Sequence, residues 1–251
     1  MNNKTIVVWF SCGAASAVAA KKTIEIYGKE NTVRIVNNPI KEEHSDNLRF
    51  LKDVEKWLGQ EIEFAKNSNF PNASAVEIWS KRKYMSGVHG APCTTELKKK
   101  ARQQWEENND FDFIVLGFTY DEIKRNERFV MTERSNVLPV LIDLRMTKQS
   151  CFNYLIASGI RPPEIYELGF SNANCIGCPK ATSPTYWNLV RKTFPNIFQE
   201  RVELSRKLGV KLVRVKGNRV FLDELKETDR GRKLKTMTPS CGIFCEEDIK
   251  L

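Results

Sequence analysis

The chain has 251 residues, 41% of them hydrophobic, which suffices for one sizeable core with at most a small appendage. Forty Lys and Arg against 31 Asp and Glu give a formal charge of +9, which favours a polyanionic partner such as a nucleotide, a sulfate ester or nucleic acid. No apolar run approaches the roughly 20 residues needed to cross a bilayer, and no secretory leader is visible. A cytoplasmic protein without membrane contact is expected, and its seven cysteines are expected as ligands, redox groups or core residues rather than a disulfide framework.

The first element is the apolar run Ile6–Phe10, which reads as a buried central strand of a parallel sheet. The next six residues, Ser11, Cys12, Gly13, Ala14, Ala15 and Ser16, all carry small side chains, so backbone N–H groups can close around an anion. An Ala-rich helix follows, and its N-terminus directs unsatisfied N–H groups and a partial positive charge at the turn. Phosphate or sulfate suits such a place; the plain alternative is a tight turn with small residues for close packing. Thr32–Asn37 reads as a second strand. A helix begins near Glu42 or Ser45, carries Leu48, Phe50, Leu51, Val54 and Trp57, and stops at Gly59. Ile62–Phe64 looks like a third strand. This alternation predicts an α/β, doubly wound, mainly parallel sheet, in which ligands sit beyond the C-terminal strand ends.

A loop-rich stretch runs from Ser68 to Pro92, with a short helix over Ala75–Arg82 and a basic rim at Lys81–Tyr84. Gly87–Glu96 is a turn feeding a helix over Leu97–Glu107, and Cys93 lies near its start, where the helix dipole favours a thiolate. Phe113–Thr119 is the clearest later strand, and it ends at Gly117. Arg125 and Arg128, three apart, share a face if helical, either as a clamp for phosphate or sulfate or as a salt-bridged surface turn. Val137–Asp143 reads as a further strand at an edge because of Pro139. Thr147 caps a helix over Lys148–Ala157, and Pro184–Lys207 forms one or two helices. Residues 209–251 form a basic tail with a strand near Lys211–Val215, set apart from a nucleotide-binding unit over 1–208.

Cys175-Ile176-Gly177-Cys178 has the spacing of two metal ligands or of a dithiol redox pair. Cys93, with Cys241 and Cys245 in the tail, brings enough sulfur for four thiolates, which suits a [4Fe–4S] cluster or zinc alike. Cys151 reads as a core residue. His44 and His89 are isolated and read as surface residues, although His44 after the second strand is placed to approach a substrate.

The Ser11–Ser16 turn resembles the pyrophosphate loop, S-G-G-x-D-S, of the adenine nucleotide alpha-hydrolase-like superfamily. Ser11, Gly13 and Ser16 match; Cys12 replaces a glycine and Ala15 the aspartate that serves metal-dependent ATP cleavage. The order of that loop, Cys93 before a Lys-rich helix, Gly117 with Glu122 and Arg125, Pro139–Asp143, Tyr166–Phe170, the Cys175–Cys178 pair and a terminal Cys241-Gly242-Ile243 is similar to the family of phosphoadenosine phosphosulfate (PAPS) and adenosine phosphosulfate (APS) reductases over nearly the whole chain. The pattern also looks like reductase-like proteins of phage and of DNA phosphorothioation systems. The resemblance implies a nucleotide site at residues 11–16 with Gly117, Arg125 and Arg128, and a [4Fe–4S] cluster (alternatively Zn) on Cys93, Cys175, Cys178 and Cys245. It implies Cys241 as the nucleophile and a thioredoxin-like reductant as partner, with a homodimer possible. The family's paired Cys-Cys is the single Cys93 here, and Cys245 is extra, so Cys241 and Cys245 are interchangeable as nucleophile and fourth ligand at this level. An ATP-dependent sulfurtransferase acting on nucleic acid, and a non-catalytic nucleotide- or zinc-binding protein, are the alternatives.

Overall fold

The computed structural model describes residues 2–87, 90–235 and 237. His89, Cys241 and Cys245 lie outside the described residues. A four-stranded parallel sheet has the order β3-β2-β1-β4, from β1 (Thr5–Phe10), β2 (Thr32–Asn37), β3 (Glu63–Phe64) and β4 (Phe113–Leu116). The expected α/β class and doubly wound order hold. β1 is central: Ile6 pairs with Val33 on one side and Phe113 on the other. The strand order therefore reverses at β1, which places a crevice at its C-terminal end.

Strand alternation sorts β1 between two layers. Ile6, Val8 and Phe10 enter the main core with α1 (Ala14–Tyr27) and α2 (Asn47–Leu58), while Val7 and Trp9 face a second cluster with Val36, Ala65 and Ile114. α1 is thin enough to lie close to the sheet, since Ala14, Ala17, Ala19 and Ala20 are buried with Val18. α2 buries Phe50, Leu51, Val54 and Leu58, the stripe expected from its spacing, and ends on left-handed Gly59.

The Val137–Asp143 expectation is only marginally met. Val137 makes a single parallel bridge to Ile114, and the chain then turns into α7 (Val140–Asp143). Pro139 supplies no N–H to a ladder, but its carbonyl accepts from Ile142 and Asp143, which starts the helical turn. Between β3 and β4, α3 (Ala75–Arg82) is capped by Ser74. A continuous helical run follows: α4 (Pro92–Thr94), a π-type turn (Thr95–Lys100) and α5 (Ala101–Glu106). After β4 come α6 (Ile123–Thr132), α8 (Lys148–Ala157), α9 (Pro184–Thr193) and α10 (Pro195–Lys207). A hairpin of β5 (Val213–Val215) and β6 (Asn218–Val220) closes the described fold. Leu212, Val213, Leu222, Leu225 and Met237 join the same buried cluster as β1 and α1. Among the described residues, no helix is long and apolar enough to cross a membrane.

Candidate functional site

The small-residue turn is held by Ser16 of α1. Its Oγ accepts from the Ser11 N–H at 3.1 Å and the Gly13 N–H at 3.4 Å, and donates to the Gly13 carbonyl at 2.9 Å. Ser11, Gly13 and Ala15 keep contact with solvent, while Cys12, Ala14 and Ser16 are buried. Cys12 occupies a left-handed conformation, φ +53°, which costs a non-glycine residue about 1–2 kcal/mol and accounts for the glycine that the resembling loop carries there. Its thiol accepts from Asn37 Nδ2 at 3.5 Å. Burial, then the nearby Glu43 carboxylate, raise that thiol far above its ordinary range, so Cys12 is a neutral packing group.

Two residues shape the turn from outside. Tyr166 places its hydroxyl 3.4 Å from the Ala14 N–H, the first amide of α1. Gly117, just past β4, stands so close to α1 that a Cβ there would lie 2.9 Å from the Ser16 amide nitrogen and 3.0 Å from its Cα. Its missing side chain is what lets β4 and the turn share the crevice.

The second constellation is built around the Cys175–Cys178 loop. Gly177 sits at φ +67°, a left-handed position that folds the loop back on itself. The Tyr186 hydroxyl of α9 spans the loop, accepting from the Cys178 N–H at 3.1 Å and donating to the Cys175 carbonyl at 3.4 Å. The Ile176 N–H donates to the Glu42 carbonyl at 2.9 Å, which ties the loop to the segment after β2. Cys93 on α4 belongs to the same neighbourhood: the charge of Cys178 acts on Cys93, and the charges of Cys178 and Cys93 act on Cys175. Burial raises the thiols of Cys93 and Cys175, with neighbouring Cys178 adding to both; Lys98 eases Cys175, and Trp79 and Lys180 ease Cys93.

Glu43 and Lys98 link the two constellations. The charges of both act on Cys12 in the anion turn and on Cys175 in the cysteine loop. Glu43, which accepts from Asn47 Nδ2 at 3.1 Å, is pushed up to about 7, first by burial; Lys98 and Asn47 oppose the shift. Lys98 projects from the π-type turn, an irregularity often associated with function. Its neighbours are committed elsewhere: Lys99 to Glu133 at 2.7 Å and Lys100 to Glu96 at 3.1 Å.

The structure separates the remaining sequence expectations. Arg125 and Arg128 share an open cleft with Tyr120–Lys124 on α6 and the turn before it. There Arg125 is engaged by Glu122 and lies over the Phe118 ring at 4.9 Å. His44 packs edge-on against Phe194 and accepts from the Asp46 N–H at 3.2 Å, a turn-stabilising role. Cys151 is fully buried and its thiol is pushed up to about 12, mainly by burial, as befits a core residue. Tyr166, Tyr186, Glu43, Trp79 and Arg201 were not singled out as site residues by the sequence; of these only Tyr166 fell within a motif carrying the resemblance.

For a thiophilic metal or an iron–sulfur cluster, the donor set is chemically apt. Three cysteines share one neighbourhood, and the buried Arg201 guanidinium beside them has N–H groups without hydrogen-bond partners among the described residues. Among the described residues, no three Cys, His, Asp or Glu side chains converge tightly enough to hold an ion, so ligation by Cys93, Cys175 and Cys178 requires the sulfurs to draw together.

No protein-family model matches the chain, and no curated protein matches it. Solved structures do. A phosphoadenylyl-sulfate (PAPS) reductase from Candida auris, in a phosphate complex, is 9% identical over 68% of this chain and 80% of its own, with a TM-score of 0.49. A U34-tRNA thiolase from Methanococcus maripaludis, with its [4Fe–4S] cluster, is 13% identical over 83% of this chain and 74% of its own, with a TM-score of 0.52. At such identities the likeness is one of fold alone: the chain shares with the thiolase an α/β fold built on a parallel sheet flanked by helices.

Proposed function

We propose that this protein is an enzyme of sulfur chemistry that holds the acidic end of an adenine nucleotide at Ser11–Ser16 and carries out cysteine chemistry beside it. The observation that carries this reading is the shared electrostatic neighbourhood: the charges of Glu43 and Lys98 act on both the anion turn, through Cys12, and the cysteine loop, through Cys175. In this reading the α1 N-terminus and Lys98 balance a phosphate or sulfate, Tyr166 orients the turn, and Cys93, Cys175 and Cys178 hold a [4Fe–4S] cluster or zinc with a tail cysteine. The bound group supplies charge and structural fixation next to the reacting sulfur. With PAPS or APS as substrate, the Cys241 thiolate attacks the sulfuryl sulfur. The S–O bond to the nucleotide breaks, an S-sulfocysteine forms, and a dithiol reductant of the thioredoxin type then releases sulfite as it is oxidised.

The test is sulfite formation from APS or PAPS in the presence of thioredoxin. Turnover is expected for the wild-type chain and none for Cys241→Ser; turnover that persists in Cys241→Ser removes the nucleophile from the account. A second reading, ATP-dependent sulfur transfer to nucleic acid, draws on the +9 charge. Ala15, where the resembling loop has its aspartate, weighs against it. AMP formation from ATP that depends on added tRNA or DNA, with no sulfite from APS or PAPS, would select it.

A further inference from the structure

The least accounted-for group in the molecule is Arg201. It lies in the middle of α10, its residue only 2% exposed. A guanidinium does not give up its proton inside a protein, so this is a permanent buried cation. Its Nε and Nη1 have no hydrogen-bond partner among the described residues. The anions nearby are already engaged or weakly placed. Glu200 approaches Nη1 only to 3.5 Å and is itself 65% exposed. The charge of Glu42 is felt, but its carboxylate caps α3, accepting from Ser74 Oγ at 2.6 Å, Ala75 N–H at 2.7 Å and Val76 N–H at 3.1 Å. One face of the guanidinium lies over the Trp79 ring at 5.1 Å, and the Trp79 indole N–H is directed at the Cys93 thiol.

The side chain presses on the cysteine loop. A Cβ on Gly177, midway between Cys175 and Cys178, would lie 3.0 Å from Arg201 Cγ and 3.2 Å from Nε. Native proteins seldom leave a charge in this position without a partner. Thiolates holding a divalent ion or an iron–sulfur cluster carry net negative charge.

We propose that Arg201 is the fixed counter-cation of the sulfur-held group at the Cys175–Cys178 loop, a positioning residue that acts through the ligands and not on the substrate. The inference rests on the reading of Cys93, Cys175 and Cys178 as ligands. It has a consequence that an ordinary structural arginine lacks: its effect on stability changes sign with loading. In the empty protein Arg201 is a buried charge with unmet donors, so Arg201→Met, which keeps the apolar stem against Trp79, leaves the melting temperature unchanged or raises it. In the loaded protein the same change removes the balancing charge.

The experiment compares wild type, Arg201→Met and Arg201→Lys, each full length. Each is melted empty and after loading with Zn(II) or, anaerobically, with iron and sulfide, and the loss of metal to a chelator is then timed. The expected result is an empty Arg201→Met protein at least as stable as wild type that releases its metal about 10-fold to 100-fold faster, the range for partners lying just outside a metal's ligands. Arg201→Lys, which keeps the charge, stays much nearer wild type. Equal release from Arg201→Met and wild type overturns the inference alone. So does an empty Arg201→Met protein that melts well below wild type or does not fold, since Arg201 then belongs to the scaffold. A wild-type chain that takes up neither zinc nor iron–sulfide while still binding adenine nucleotide removes the ligand reading and this inference together.

Discussion

The anion turn and the cysteine loop are built on opposite terms. In the turn, the Ser11, Gly13 and Ala14 amides have partners, Ser16 Oγ for the first two and Tyr166 Oη for the third. In the cysteine neighbourhood, polar groups as strong as a guanidinium are left over. A self-satisfied loop keeps its shape without ligand, and an anion has only to exchange one set of weak hydrogen bonds for another. A neighbourhood with a surplus buried guanidinium gains by taking up an anionic group. The difference separates a preformed pocket from one that loading completes.

The contrast is broken most severely at the turn by Gly117→Val. The added Cβ meets the Ser16 backbone at 2.9 Å, and overpacking against backbone costs about 3 kcal/mol. A lowered urea midpoint is expected together with a loss of adenine-nucleotide affinity of tenfold or more, while metal uptake by the folded fraction persists. An unchanged midpoint would mean that the two elements are not in contact.

Next in size is the pH dependence set by Glu43. Burial, the largest cause, lifts its carboxyl to about 7 from an ordinary 4.5, so the folded chain keeps a proton that the unfolded chain gives up. That contribution is fully present below pH 4.5 and is lost as pH rises through 7. Through this group wild type loses up to about 3 kcal/mol between those limits, and Glu43→Gln flattens that part of the profile. Denaturation midpoints of the two proteins, measured across this range, decide it; parallel profiles would remove Glu43 from the buried link between the regions.

Ser16→Ala removes the one hydroxyl that organises Ser11 and Gly13. About 1 kcal/mol of stability is expected to go, with a several-fold loss of nucleotide affinity by calorimetry and no change in metal uptake. The smallest effect is expected at Arg125→Ala. That side chain is exposed and paired with Glu122, so stability moves by less than about 0.5 kcal/mol. A large loss of nucleotide affinity in this variant would support the clamp read from the sequence.

The strand–turn–helix at Ile6–Tyr27 was legible because its signals are local: an apolar run, six small residues and an Ala-rich stretch. The CxxC pair and Cys93 were legible as residue types; the structure places them in one electrostatic neighbourhood, although among the described residues they do not converge into an ion-holding group. Val137–Asp143 misled because five apolar residues around a proline fit a strand end and a helical turn equally well, and only the lack of a strand partner beyond Ile114 among the described residues decides between them. Glu43 and Lys98 stand in charged segments, and the packing of distant elements is what brings both, half-buried, between the turn and the cysteine loop. Arg201 is hidden most completely. In Glu200-Arg201-Val202-Glu203 a charged residue looks like the outer face of an amphipathic helix, yet it is the inner one.

The central claim is that the anion turn and the cysteine loop serve one site. It is tested most directly by titrating adenine nucleotide into the metal-loaded protein while following the thiolate-to-metal charge-transfer absorption. The account predicts a saturable spectral change whose midpoint equals the calorimetric Kd and which disappears in Gly117→Val. Nucleotide that binds tightly while leaving the spectrum and the rate of metal release untouched would contradict it.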